Sequence, residues 1–134
     1  MTSLDLVRNA EAAVGLFGQL DLIGAELCGA RLSVARGNVP TMEIDFTVAG
    51  ASALPHAAAD RTRDYCITLR CIDVTALSLA DFDGENLVAS YELVPNGVDE
   101  DGRPALRVAI TCAPGCDLEF HCREIMVSAV SSLG

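Results

Sequence analysis

The chain has 134 residues, with nine basic side chains, all Arg, against nineteen acidic ones, giving a net charge of −10. A hydrophobic fraction of 51% excludes a disordered tail or low-complexity linker, and the length suits a single domain, residues 1–134. An isoelectric point near 4.4, with 4% aromatics and no Trp, excludes nucleic acid as a direct partner and leaves nothing to build a base-stacking platform or aromatic cage.

Residues 4–17 read as a helix, because Leu4, Val7, Ala10, Val14 and Phe17 recur at three- and four-residue spacing. Ser3 suits the N-cap and Gly18 the stop. The period then becomes two. Cys28, Ala30, Leu32 and Val34 alternate with small or polar residues up to the turn residues Arg36–Pro40, and Met42, Ile44, Phe46 and Val48 alternate on the far side. That pattern predicts a β-hairpin with one buried face and one wet face.

Residues 49–64, rich in Ala and without a period, read as a long connection. Strand character returns at Tyr65. Ile67, Leu69 and Cys71 share one parity and Ile72 and Val74 the other, which predicts a β-bulge or a strand covered on both faces, with Leu77 and Leu79 continuing it.

A turn over 81–86 leads to a strand bearing Leu87, Ala89, Tyr91 and Leu93, then a polar loop over 96–104. Leu106, Val108, Ile110 and Cys112 mark the returning strand. After Ala113–Gly115, Leu118, Phe120, Cys122, Ile125 and Val127 form the last one. The fold expected is mainly β (α+β): an N-terminal helix packed on about six antiparallel strands, as a twisted sheet, sandwich or partly open barrel. Met42, Ile44, Phe46, Ile67, Leu69, Val108, Ile110 and Phe120 are the expected core.

The segment Met1–Arg8 has no basic run before an apolar stretch, so it does not read as a signal peptide, and no apolar run reaches the ~18 residues of a membrane span. The expectation is a cytoplasmic protein without a membrane partner, whose six cysteines stay reduced.

The sharpest metal candidate is Cys112, Cys116 and Cys122 with His121. Its spacing is poor, since Cys122 continues the apolar parity of Leu118 and Phe120, and Cys66 and Cys71 have opposite parity along one strand. These thiols therefore read as small buried hydrophobes, and no cofactor or metal is expected. A Cys–His nucleophile would need His56 or His121, and both fall where a solvent-facing His is the default. Asp81 and Asp83 sit in a turn, where Asp is favoured for local backbone bonding, and Asp99–Asp101 lack the spaced ligands of a calcium loop. No catalytic residue is assigned, and the protein reads as a non-enzyme.

Charge is the feature above background. Between Cys71 and Gly102 lie eight acids (Asp73, Asp81, Asp83, Glu85, Glu92, Asp99, Glu100 and Asp101) and no basic residue. Loops hold most of them, and such a patch steers and docks a basic partner. Asp81, Asp83, Glu85, Asp99, Glu100 and Asp101 are the candidate partner-binding residues.

Leu16-Phe17-Gly18, Ala25-Glu26-Leu27, Pro40-Thr41-Met42-Glu43-Ile44-Asp45-Phe46, the run Ile67–Leu79, and Leu118-Glu119-Phe120-His121-Cys122 with Ile125 give the chain a likeness over nearly its whole length. In this order they resemble the immunity protein 50 family of bacterial polymorphic toxin systems. That resemblance implies a cytoplasmic protein that binds and neutralises a cognate toxin. Toxins of such systems are frequently nucleases with basic substrate faces, which an acidic binder can cover. The alternative from another class is a small β-rich interaction or oligomerisation module with no toxin partner, forming a homodimer through an exposed sheet edge.

Overall fold

The structure, a computed structural model, describes residues 7–34, 39–82, 85–98, 104–113 and 115–133. Among these residues it is β-rich: nine strands in one mixed sheet, with one helix. The strands are β1 (Val7–Arg8), β2 (Glu26–Ser33), β3 (Thr41–Ala49), β4 (Asp64–Ile72), β5 (Thr75–Ala80), β6 (Leu87–Val98), β7 (Pro104–Ala113), β8 (Asp117–Cys122) and β9 (Glu124–Ser132). Their order across the sheet is β1-β9-β4-β3-β2-β6-β7-β8-β5, antiparallel except for the short parallel pair β1–β9.

The helix α1 is shorter than the periodicity predicts, Glu11–Phe17 rather than 4–17. Val7 and Arg8 instead lie along β9, with Val7 opposite Ile125, and Asn9 at φ 57 breaks the chain into its left-handed conformation. Residues 1–6, with the expected cap Ser3, lie outside the described residues. Ala10 stands at the N-cap without a side-chain bond. Gly18 ends the helix as expected, at φ 82, with its N–H on the Val14 carbonyl.

The connection after β3 does structural work at this helix end. The Leu54 and Ala59 N–H groups donate to the carbonyls of Phe17 and Leu16, each at 2.8 Å, satisfying acceptors that the last helical turn leaves free. Arg61 holds the connection itself, donating to the Ala51 and Ala53 carbonyls at 2.8 Å. Ala13 and Phe17 are buried, and the Phe17 ring meets Tyr65 edge-on at 5.4 Å.

Two corners account for most of the extra strands. The apolar run 65–79 divides at Asp73, which takes φ 64, into β4 and β5. The run 118–127 divides at Arg123 into β8 and β9. The corners face each other: Ile72 pairs with Glu124 before the bend and Thr75 with His121 after it, so one antiparallel register passes through both. The Arg123 N–H donates to the Ile72 carbonyl at 2.9 Å, and its guanidinium pairs with the Asp73 carboxylate. The parity switch seen in the sequence is this corner. A separate irregularity lies between Thr68 and Leu69, where β4 meets β9.

The eight expected core residues are all buried, with Phe46 and Phe120 entirely so. They belong to one continuous cluster fed by every strand except β5. Burial of side chains this large contributes roughly 1.5–3 kcal/mol each, before the entropy of ordering them.

Candidate functional site

The β5–β6 connection begins at Ala80, where β5 leaves its ladder with β8. Asp81 follows in the left-handed region at φ 58, a conformation that a short polar side chain tolerates better than most. Asp81 and Glu85 are exposed. Between Glu85 and β6, Asn86 is buried, and its carbonyl accepts from the Leu27 N–H at 2.8 Å. That bond and the pair Glu26–Leu87 are where β6 meets β2. The expected sites Asp83, Asp99, Glu100 and Asp101 lie outside the described residues.

The ladder β6–β7 runs from Leu87 opposite Ala113 to Val98 opposite Pro104. At about 3.3 Å per residue, its two ends stand roughly 35 Å apart. Asp81 and Glu85 belong to the Leu87 end, and residues 99–103, outside the described residues, follow Val98 in sequence. The ladder thus separates the attachment points of two acidic stretches that lie close in sequence.

Neutralisation is uneven across the molecule. Arg8 pairs with Glu124, Arg31 with Asp45 and Glu43, Arg63 with Asp60, Arg107 with Glu92 and Glu119, and Arg123 with Asp73. Arg61 is engaged by backbone carbonyls. Among the described residues, Glu11, Asp21, Glu26, Asp64, Asp81, Glu85 and Asp117 form no ion pair. Four of these, Glu26, Asp81, Glu85 and Asp117, fall at the start of β2, just after β5, just before β6 and at the start of β8.

Between those same elements lies a hollow of about 240 Å³, lined by Leu27, Gly29 and Ala30 of β2, Leu79 of β5, Phe82 and Leu118. Its walls are mainly apolar. Sequence reasoning does not single it out. The available signal is Leu77-Ser78-Leu79-Ala80 running into Phe82 with Asp81 as the only charge, a pattern that by itself reads as the tail of a buried strand.

The cysteines of the later strands divide as the parity argument expects, but Cys28, expected on the buried face of the hairpin, is exposed, because the β2–β3 register shifts between Leu27 and Gly29 and takes Cys28 out of the apolar parity. Cys71, Cys112, Cys116 and Cys122 are buried, Cys66 is half-buried and Cys28 exposed. The suggested trio does not assemble: Cys112 meets Cys116 across the turn, its N–H on the Cys116 carbonyl at 2.7 Å, while Cys122 contacts Cys71. The Cys122 thiol and burial together push the Cys71 thiol up. Burial, with Cys116 beside it, raises Cys112 to about 11. Such groups stay protonated and are poor nucleophiles or metal ligands. Among the described residues, no group of three or more His, Cys, Asp or Glu side chains is disposed to hold a metal ion. His56 is exposed at φ 71 and His121 half-buried, opposite Thr75 and Arg107.

Among the described residues, no helix is long and apolar enough to cross a membrane. Comparison of the chain with protein-family models, curated proteins and solved structures found no match to any of them.

Proposed function

We propose that the protein is an immunity protein: it binds a cognate bacterial toxin and neutralises it by covering a basic face, with no chemistry of its own. The observation that carries this reading is the uncompensated acidity around β5, the β5–β6 connection and β8. Nearly every described arginine is already engaged, so the exposed carboxylates of Asp81, Glu85 and Asp117 are free to meet cations on a partner. The resemblance to the immunity protein 50 family points the same way, and a chain with six cysteines suits action in a reducing cytoplasm.

In this reading the short helix packs on the sheet as a stabilising plug. The bent sheet is a sandwich-like or partly open barrel that serves as a rigid platform. The acids Asp83, Asp99, Glu100 and Asp101, singled out by the sequence, act mainly on encounter rate, over a Debye length of about 8 Å at physiological salt.

Co-expression with the product of the adjacent gene tests the proposal. Capture of that product, with relief of its toxicity, is the expected result. Asp81→Asn with Glu85→Gln, and separately Asp99→Asn, Glu100→Gln and Asp101→Asn, should slow association and flatten its dependence on salt. A neighbour that neither binds nor is toxic would overturn the toxin reading. In that case a homodimer through a sheet edge would be the assembly to seek.

A further inference from the structure

Pairing partners on an antiparallel ladder share a face, so the ladders show which side chains ought to be covered. Ala30 lies opposite Ile44, and Leu32 opposite Met42; Leu79 lies opposite Leu118. Ile44, Met42 and Leu118 are each 1% exposed, whereas Leu32 is 53% and Leu79 48% exposed, and Ala30 is exposed too. These side chains are on the inner face of the sheet, yet nothing among the described residues covers them. Of these, Ala30 and Leu79 line the hollow described above, which Phe82, 47% exposed, closes from the β5–β6 connection, while Leu32 lies further along β2.

The backbone on either side of this opening is also unpartnered. The ladder between β2 and β6 contains only Glu26 opposite Leu87, so β2 from Cys28 to Ser33 pairs with β3 alone among the described residues. At the other end of the sheet order, β5 pairs with β8 alone. Free edges are ordinarily blunted by charge, proline or distortion. The sequence of β5, Thr-Ala-Leu-Ser-Leu-Ala, has neither charge nor proline. Its one distortion, at Ala76 with φ 54, precedes the regular stretch Ser78–Ala80.

We infer that the opening between β2 and β5 is a strand-accepting slot for an extended partner segment of alternating apolar and basic residues. This rests on the reading of the protein as a binder of a basic toxin, and specifies how that partner docks. An added strand would take its main-chain hydrogen bonds from one free edge and seat every second side chain on Leu32, Leu79 and Phe82. Its intervening side chains meet the rim. Three lining residues are each preceded in the chain by an acid: Glu26 before Leu27, Asp81 before Phe82 and Asp117 before Leu118. None of these acids forms an ion pair among the described residues. The nearest arginine on the slot's own strands, Arg31, is held by Asp45 and Glu43. A second copy of the chain fits poorly, since it brings the same acidic rim and a charge of −10 against its like.

The test uses the full chain and a fluorescent peptide of alternating Arg and Val, with an alternating Glu and Val peptide as its counterpart. The Arg–Val peptide should bind and protect the amides of 28–33 and 75–80 from hydrogen exchange. Leu32→Asp with Leu79→Asp adds two negative charges and removes two apolar contacts. Slot binding should therefore weaken by about tenfold or more, and attraction by charge alone should strengthen. Leu133→Asp, beyond the end of β9, controls for added charge and should leave binding within about twofold. Tighter binding to the double variant, protection confined to other strands, or a dimer of the unliganded protein at neutral pH and low ionic strength would each overturn the slot. The adjacent gene product separates this from the broader reading. If the folded double variant still neutralises it, the slot inference fails and the immunity proposal stands. If the peptide seats as expected but that product is not neutralised, the slot stands and the toxin reading fails.

Discussion

Two glycine-to-alanine changes should move stability in opposite directions, for reasons the backbone makes explicit. A Cβ on Gly50 would lie 2.0 Å from the Asp60 carbonyl oxygen and 2.6 Å from that of Arg63, against 3.4 Å or more in ordinary contact. Both obstacles are backbone atoms, so no side-chain rotation relieves them. The 50–63 connection would have to open by more than 1 Å, stretching the 2.7 Å bond from the Gly50 N–H to the Arg63 carbonyl. Overpacking of this kind costs about 1–3 kcal/mol and the lost hydrogen bond about 1 kcal/mol. Gly50→Ala should therefore cost about 2–4 kcal/mol, a fall in Tm of roughly 10 °C or more for a chain of this size. Gly15 is the control. It lies inside α1, and a Cβ added there would meet nothing within 4 Å, so Gly15→Ala should gain about 0.5–1 kcal/mol from helix propensity alone. Urea and thermal unfolding of both variants decide it. A Gly50→Ala protein as stable as the parent would refute the close approach.

Phe120→Ala empties a site with no exposure and should cost about 3–5 kcal/mol in urea unfolding. The Asp45 carboxyl is held below its usual value, first by the Arg31 guanidinium and then by the Thr68 hydroxyl. Its stabilising effect is present above the unfolded carboxyl's range, near pH 4, and is lost as pH falls through the lower folded value; Asp45→Asn should therefore flatten the acid limb of a stability–pH curve. Alkylation of the native protein, followed by peptide mass analysis, should modify Cys28 first and Cys66 more slowly. Cys71, Cys112, Cys116 and Cys122 should react only on unfolding, and early labelling of Cys112 would contradict its burial.

The central architecture is legible in the sequence because its strands obey one rule. Met42, Ile44, Phe46 and Val48 alternate without interruption, and all four are buried. What the pattern cannot supply is the change of neighbours within an apolar run. Nothing in Cys71–Val74 distinguishes a bulge from a corner; the difference lies in the pairing of Asp73 with Arg123, fifty residues away. The helix start is misplaced for a similar reason. Val7 satisfies the helical period, but its place opposite Ile125 is set by the tertiary fold. Leu32 and Leu79 have core parity and core chemistry, so alternation alone assigns them inside. Their exposure follows from the absence of a neighbouring strand among the described residues, which only the sheet order reveals.

That exposure poses a problem whose solution links charge to fold. Two free edges beside an apolar hollow invite pairing between copies, the usual route from an open sheet to aggregation. The edge β5 has no residue that would prevent it, so protection has to come from the whole-molecule field. A charge of −10 makes each copy repel the next while drawing in a cationic strand, so the same acids oppose self-pairing and favour the heterologous partner. Screening should expose the hazard. At low ionic strength and neutral pH the protein should sediment as a monomer. Near 1 M salt, where the Debye length falls to about 3 Å, self-association should set in. Leu79→Asp should suppress that onset, because it places charge on the edge itself, whereas Leu133→Asp should not. Sedimentation velocity across a salt series measures this directly. Salt-independent sedimentation would mean that the field does not guard the edge, and equal protection by both variants would mean that β5 is not where copies meet.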